Sequence, residues 1–373
     1  MHVSDECRWH AFCHFMEDLN IRSNVRLLNN VSASLDEGGS MKFKKIMTIA
    51  LAAFMLAGCA PKQQKNQTKL KIVATTFPQY DWIREIVGKD NPNVDLQLLM
   101  KNGGDLHSYQ PTAGDIANIS DANLFVYVGG ESDEWVDDAL EEKTNKDMKV
   151  VNMMQVLGDD IDEEEEGLEK ESEDHDHDHD DKDHDHDHEE IEYDEHVWLS
   201  LKRAQKIVKA ITDELVELDP TNAKEYQANA EAYITKLSTL DKSYQSTVDT
   251  VENKTWIFAD RMPFHYLAKD YGITTYAAFN GCSTETNASF ATIVSLAKYA
   301  DELGIKHIMT IEGSDKKLAK AVIENTTDKN QDILTLNSLQ SVSQSDIDKG
   351  LTYYGAMEEN LKVLAQSFNT EVK

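Results

Sequence analysis

The feature that most limits the fold is a run from Thr221 to Lys254 with no glycine or proline, in which Tyr226, Ala230, Tyr233, Leu237, Leu240, Tyr244 and Val248 recur at alternating spacings of three and four. That period places them on one face of a single long α-helix. Some thirty residues at 1.5 Å rise span roughly 45 Å, enough to run the height of a two-lobed molecule. A second stripe, Ala204, Ile207, Val208, Ile211, Leu215 and Leu218, precedes it. Asp219-Pro220 divides the two, because Asp caps a helix start and Pro fits the first turn. A stiff linking helix is expected over residues 219–253.

On either side of this rod the pattern alternates between strand and helix. Before it, residues 70–76, 94–100, 124–128 and 150–152 read as strands, with helical segments at 79–87 and 115–120. After it, strands are expected at 256–259, 274–278, 308–311 and 332–336, with helices following Pro263 and over 288–303, 316–325 and 353–368. Such alternation implies parallel sheets. The expected class is therefore α/β: two α/β lobes with parallel sheets, residues 70–218 and 254–373, joined by one long rigid linking helix across a cleft. At 373 residues each lobe is large enough to bury its own core.

The beginning of the chain carries an address. Lys42, Lys44 and Lys45 precede an apolar run from Ile46 to Leu56, and Leu56-Ala57-Gly58-Cys59 closes it. This is an export signal over residues 41–58, too short to span a bilayer. It resembles the bacterial lipoprotein type, in which the cysteine becomes the lipid-bearing first residue, so Cys59 is expected to be an anchor. The protein is then extracytoplasmic and tied to the cell membrane, with residues 59–69 as a tether. Residues 1–40 precede a complete signal and are read as a mis-assigned upstream start, with Met41 the true one.

Charge narrows the partners. A formal net charge of -31 opposes nucleic-acid binding and favours cations. Residues 159–194 concentrate it in a low-complexity tract where His175, His177, His179, His184, His186 and His188 alternate with Asp and Glu. Such a segment cannot bury apolar surface and is expected to be a disordered auxiliary loop that chelates metal weakly through neutral imidazoles, losing them below roughly pH 6.

Two histidines stand apart from the tract. His107 lies in Asp105-Leu106-His107-Ser108-Tyr109-Gln110-Pro111-Thr112, just past a strand end where α/β folds place ligands, and His196 lies in Asp194-Glu195-His196-Val197-Trp198-Leu199-Ser200, just before a helix. Together with the lipobox, the acidic tract, the long helix and Phe264-His265-Tyr266-Leu267-Ala268 ahead of Tyr271-Gly272, they resemble the metal-specific cluster of ABC-transporter solute-binding lipoproteins that bind zinc or manganese. The resemblance covers essentially all of residues 70–373.

It implies a metal in the interlobe cleft, held by His107 and His196 from the first lobe and two ligands from the second, and a monomer that delivers it to an ABC permease. The second pair departs from the family. Its third ligand, a His or Glu, falls at Arg261, and its acidic fourth ligand falls around Asn337 to Gln340, where no carboxylate stands. Asp260 is the nearest replacement if the turn is shifted by one residue. Glu285 completes the expected metal set, with Glu312, His265 and Cys282 as further candidates; a lone buried cysteine is more often just a small apolar residue.

Two imidazoles with carboxylates suit Zn2+, with Mn2+ the alternative if the oxygens dominate. A zinc hydrolase is a rival reading, but HExxH and GxSxG are both missing. A passive zinc buffer or adhesin, working through the tract, is another. The expectation is not an enzyme.

Overall fold

The computed structural model describes residues 69–165, 167–168, 192–283 and 287–373. Cys59, the signal segment, the six tract histidines His175 to His188, and Glu285 lie outside the described residues.

In the first lobe the chain runs through β1 (Leu70–Ala74), α1 (Phe77–Val87), β2 (Val94–Leu98), α2 (Ala113–Ser120), β3 (Leu124–Tyr127), α3 (Trp135–Glu141), β4 (Lys149–Asn152) and α4 (Met153–Leu157). Next come α5 (Leu201–Leu218) and the long α6 (Ala223–Val248). The second lobe holds β5 (Thr255–Arg261), α7 (His265–Tyr271), β6 (Thr274–Phe279), α8 (Phe290–Glu302), β7 (His307–Ile311), α9 (Lys317–Asn325), β8 (Asp332–Leu336), α10 (Gln344–Asp348) and α11 (Tyr353–Ser367).

Each sheet is parallel throughout, and the orders β2-β1-β3-β4 and β6-β5-β7-β8 repeat one topology. In both, the first strand lies inside and the next two flank it, so the connections diverge at its carboxyl end. That divergence opens the crevice in which open α/β sheets bind ligands.

Strand alternation builds the layers. Ile72, Ala74, Leu124 and Val126 face one cluster while Val73, Phe125 and Tyr127 face another on the opposite side of the sheet. In β5, Trp256 and Phe258 face the shared cluster, and Ile257 and Ala259 the outer one. The shared cluster runs from Trp82 through Tyr226, Leu237 and Tyr244 to Phe264 and Leu364. Sequence suggested a separate core for each lobe; the inner faces of both sheets instead share one, with α6 as its central wall against α5, α1 and α11. Both lobes accordingly belong to one compact unit, Thr68–Lys373.

The long helix starts later than the Asp-Pro pair suggests. Asp219 caps nothing at Pro220; its carboxylate accepts from Asn222 Nδ2 at 2.7 Å and Tyr226 Oη at 3.0 Å, and the helix begins at Ala223. Its 26 residues reach about 39 Å.

One buried carboxylate ties the lobes directly. Asp81 on α1 accepts the backbone N–H of Tyr353, the first residue of α11, at 2.8 Å, and Trp82 meets the Tyr353 ring edge-on at 5.0 Å. Burial pushes the Asp81 carboxyl up to about 6, against the pull of the Tyr353 amide. A raised folded value means that the protonated form contributes stability below the unfolded pKa near 4, and that this is lost as pH rises through 6. Asp81→Asn should therefore gain about 1 kcal/mol relative to wild type between pH 5 and pH 8. Urea unfolding at the two pH values checks this; parallel pH dependence in both proteins contradicts it.

Candidate metal centre

Loops leaving the carboxyl ends of strands in both lobes meet at one point. From the first lobe, the loop after β2 forms a 3-10 turn, Leu106–Ser108, whose cap Asp105 accepts the His107 amide at 3.1 Å. His196 precedes α5 by another such turn, Val197–Leu199. One Asp194 oxygen accepts both the His196 amide, at 2.7 Å, and its Nδ1, at 2.9 Å.

These contacts choose the tautomers. A carboxylate only accepts, so His196 carries its proton on Nδ1 and directs the Nε2 lone pair away from Asp194. His107 Nδ1 lies 2.8 Å from Ser132 Oγ and 3.5 Å from a Glu195 oxygen, and the Ser132 backbone N–H donates to Glu195 at 2.8 Å. The Glu195 carboxylate beside Nδ1 only accepts, so His107 carries its proton there, which exposes Nε2 in the same way. The two Nε2 atoms face one another at 3.2 Å, with ring centroids 5.1 Å apart. Burial, then the neighbouring His196, pushes His107 down to about 3, so the ring is neutral across the physiological range.

Close packing fixes this arrangement. Gly130 has φ +81°, and a Cβ there would lie 2.4 Å from Glu195 Oε1. At Gly281 a Cβ would come within 3.2 Å of the His196 ring and 3.1 Å of the Met262 carbonyl. Both positions therefore need glycine to let backbone lie against the acid and the imidazole. Trp198 flanks His196 at 5.2 Å and donates its Nε1–H to the Ser338 carbonyl at 2.8 Å, joining this segment to the second lobe.

Among the described residues, those of the second lobe that reach the pair are Cys282, after β6, and Gln340, after β8. Among the described residues His107, His196 and Cys282 are the group whose candidate ligand atoms all lie within 4.8 Å of one another. Burial, then the Glu164 carboxylate, pushes the Cys282 thiol up from its ordinary value. Glu164 accepts the Cys282 amide at 2.8 Å and Asn280 Nδ2 at 3.0 Å. Gln340 places a side-chain amide atom 3.1 Å from His107 Nε2 and 2.5 Å from His196 Nε2.

Asp260 is not brought to this group. A bulge does interrupt β5 between Phe258 and Arg261, as a shifted turn requires, yet one Asp260 oxygen accepts the Arg261 amide at 3.0 Å and the other has no hydrogen-bond partner. Arg261 pairs with Asp105 and donates to the Ser283 carbonyl at 3.2 Å. Burial works against an ionised Asp105, but the Arg261 hydrogen bond and charge more than offset it and hold the carboxyl below its usual range. Glu312 does not meet Arg261; it accepts the Ser338 amide and hydroxyl at 2.7 and 2.6 Å. His265 sits at the root of the acidic tract, 3.4 Å from Glu165 and 3.7 Å from Asp162.

That root is itself ordered. Glu163 and Tyr193 form an antiparallel bridge, Tyr266 Oη accepts the Asp162 amide and donates to the Asp194 carbonyl, and Arg203 binds Asp160 and Asp162. The tract's two ends are thus joined beside His196.

This geometry has relatives. A family model described as zinc-uptake complex component A, periplasmic, matches residues 72–367. The chain belongs to that family. It is 36% identical over 331 residues to the high-affinity zinc uptake system protein ZnuA of Bacillus subtilis, covering 87% of this chain and 98% of that protein. It is 35% identical over 336 residues to the zinc-binding lipoprotein AdcA of Streptococcus pneumoniae, covering 89% of this chain but 62% of AdcA, so it spans about three fifths of that longer relative. Among solved structures, the metal-dependent lipoprotein YcdH of Bacillus subtilis superposes with a TM-score of 0.64 at 33% identity, over 80% of this chain and 99% of that one. The Zn(II)-bound ZnuA-like domain of Streptococcus pneumoniae AdcA gives 0.61 at 29% identity, over 81% and 100%. The resemblance read from the sequence and its two-lobed α/β fold are those of this family of solute-binding transport components.

Sequence reasoning passed over Gln340, which it noted only as lacking a carboxylate, and Glu164, hidden at the edge of a low-complexity tract. Cys282 stands among the further candidates in the sequence, discounted there because a lone buried cysteine is more often just a small apolar residue. The Asp194 contact should be decisive for the His196 tautomer: in Asp194→Ala the ring should populate both neutral forms, visible in its 15N shifts, whereas an unchanged spectrum would show that the rest of the pocket sets the tautomer.

Proposed function

We propose that this chain captures Zn2+ between its lobes and delivers it to an ABC permease, working outside the cytoplasm on a lipid anchor at Cys59. The observation that carries the reading is the pair of imidazole Nε2 atoms facing one another 3.2 Å apart, with His196 fully buried. A tetrahedral ion with Zn–N bonds near 2.0 Å needs ligand nitrogens roughly 3.3 Å apart. The relatives' names support the cargo, since ZnuA and AdcA are described as zinc uptake and zinc-binding proteins.

The donor set favours zinc over manganese. Two imidazoles with a thiol in reach form a nitrogen and sulfur environment, which suits Zn2+, whereas Mn2+ prefers oxygen. Asp260 and Glu285, expected from sequence to supply carboxylates, carry less of this reading: Asp260 is turned aside, and Glu285 lies outside the described residues. His107 and His196 are the first ligand pair, and Cys282 replaces Asp260 as the leading second-lobe ligand. Binding through the thiol releases its proton, so affinity gains from rising pH. Arg261 puts a cation near the site where the family resemblance places a ligand, and its pairing with Asp105 cancels that charge locally. The tract histidines serve as an auxiliary, weaker collecting loop, and the chain is a transport component with no catalytic role.

Calorimetric titration tests this. Wild type should bind one Zn2+ tightly and prefer it to Mn2+, and His107→Ala and His196→Ala should each weaken that site at least 100-fold, the upper end of what outer-shell changes cost. Removing residues 170–190 should leave the tight site in place; loss of nearly all binding would instead identify a passive buffer. Cys282→Ser should weaken Zn2+ about 10-fold or more, since the hydroxyl is a far poorer ligand than a thiolate.

A further inference from the structure

Ser338 poses a problem in counting protons. Its Oγ lies 2.6 Å from a Glu312 oxygen and 3.1 Å from the Gln340 side-chain oxygen, both acceptors. A hydroxyl has one proton, and the shorter, charged acceptor takes it. Ser338 is then left offering Gln340 a lone pair, which an amide oxygen cannot use and an amide NH2 can.

Turning the Gln340 amide over exchanges two atoms of nearly equal size. The NH2 group then donates to Ser338, which donates to Glu312. The carbonyl oxygen takes the place 3.1 and 2.5 Å from the two imidazole nitrogens. The 3.1 Å separation is close to that between ligands on one tetrahedral ion, the 2.5 Å one must lengthen on capture toward the same roughly 3.3 Å, and three lone pairs are tolerated there only around a cation. In the other orientation the two amide N–H bonds point at His107 and His196 and satisfy both lone pairs without an ion. Each orientation is complete at one end and deficient at the other, and the presence of a cation decides between them.

We infer that Gln340 is a two-position ligand arm, whose NH2 bridges the imidazoles when no ion is held and whose carbonyl oxygen binds the ion on capture, latched by Ser338 and Glu312.

The surroundings restrict the change to this side chain. Leu339 is held at φ +61°, a left-handed conformation that a leucine adopts only under constraint. Asn337 Oδ1 accepts its amide at 2.9 Å, while Asn337 and Asn360 exchange two hydrogen bonds of 2.8 Å. The Ser338 carbonyl is anchored by Trp198, and Gln340 is buried. The latch follows the pattern behind the two histidines: Glu195 stands 3.5 Å from His107 Nδ1 beside Ser132, His196 reaches Asp194 directly, and Gln340 reaches Glu312 through Ser338. Such outer contacts orient ligands and commonly change affinity 10–100-fold.

The inference rests on the zinc-capture reading, and Zn2+ is the probe. In the wild-type mature chain the Gln340 side-chain 15N–1H resonances should shift on saturation with Zn2+ and show slowed exchange, as the NH2 turns to Ser338. Ser338→Ala, which touches neither imidazole, should weaken Zn2+ about 10-fold, and Gln340→Leu at least as much. Ser338→Ala added to Gln340→Leu should cost nothing further, because the hydroxyl acts through the amide. Normal Zn2+ binding with unmoved Gln340 resonances, or Ser338→Ala costs that persist without Gln340, would overturn the arm and leave the capture site standing. A wild-type chain that takes up no Zn2+ would overturn the capture reading itself. The wild-type spectrum needs no variant, so a misfolded substitution does not blunt the test.

Discussion

Two imidazole lone pairs held 3.2 Å apart in a buried groove repel one another, and nothing in the rings themselves keeps them there. The fold does so from behind. Asp194 fixes one ring through Nδ1, Ser132 and Glu195 fix the other, and Gly130 and Gly281 let backbone come close enough to prevent either from swinging away. Those restraints belong to different loops, so the separation depends on the loops keeping their relative positions. The shared core around α6 supplies that constancy: a groove between two independently packed lobes would open by whole ångströms, whereas one continuous core transmits strain and resists it.

Among the described residues, the charge around the pair suits a cation without placing a carboxylate against the facing nitrogens. Asp194 and Glu195 stand one contact behind the imidazoles, Glu312 stands behind Gln340 through Ser338, and Glu164 stands behind Cys282. The His107 ring, the Cys282 thiol and the Gln340 amide face the centre uncharged, while the acids behind them favour positive charge. Burial raises Glu164 and Glu195, and lifts nearby Asp133 to about 7, which shows how costly further negative charge is in this environment. Arg261 would work against a cation if it were free, but its guanidinium is engaged by Asp105, the same residue that caps the His107 turn. Arg261 thereby helps hold the His107 turn in place.

How much of this could be read from the chain follows from the length scale of each signal. The α6 stripe is local and periodic, so its existence was plain, although its start moved from Pro220 to Ala223 because Asp219 bonds forward to Tyr226. The strand-helix alternation gave both parallel sheets, but short elements such as α3, α4 and α10 carry too few residues to show a period. His107 and His196 were legible because each sits in a distinctive run. The second-lobe contributors were not: Cys282, Gln340 and Glu312 lie on separate loops, each without a neighbouring residue of the same chemistry. Asp260 was favoured on a one-residue shift, and that bulge exists, but a bulge redirects the strand and not any chosen side chain.

The acidic tract gains a physical connection to the centre from its root. A low-complexity segment that collects ions is of use to a buried site only if it is delivered to the right place. Glu163 pairs with Tyr193, Asp162 and Asp194 are bridged through the Tyr266 hydroxyl, and Glu164 reaches the backbone of Cys282. Both ends of the insertion are therefore fixed within one contact of His196 and Cys282, whatever course the residues between them take. The side chains that fix the root, Arg203, Lys269 and Tyr266, come from α5 and α7 and are spread across both sides of the groove. Any relative movement of those helices would strain the root and the His196 turn together.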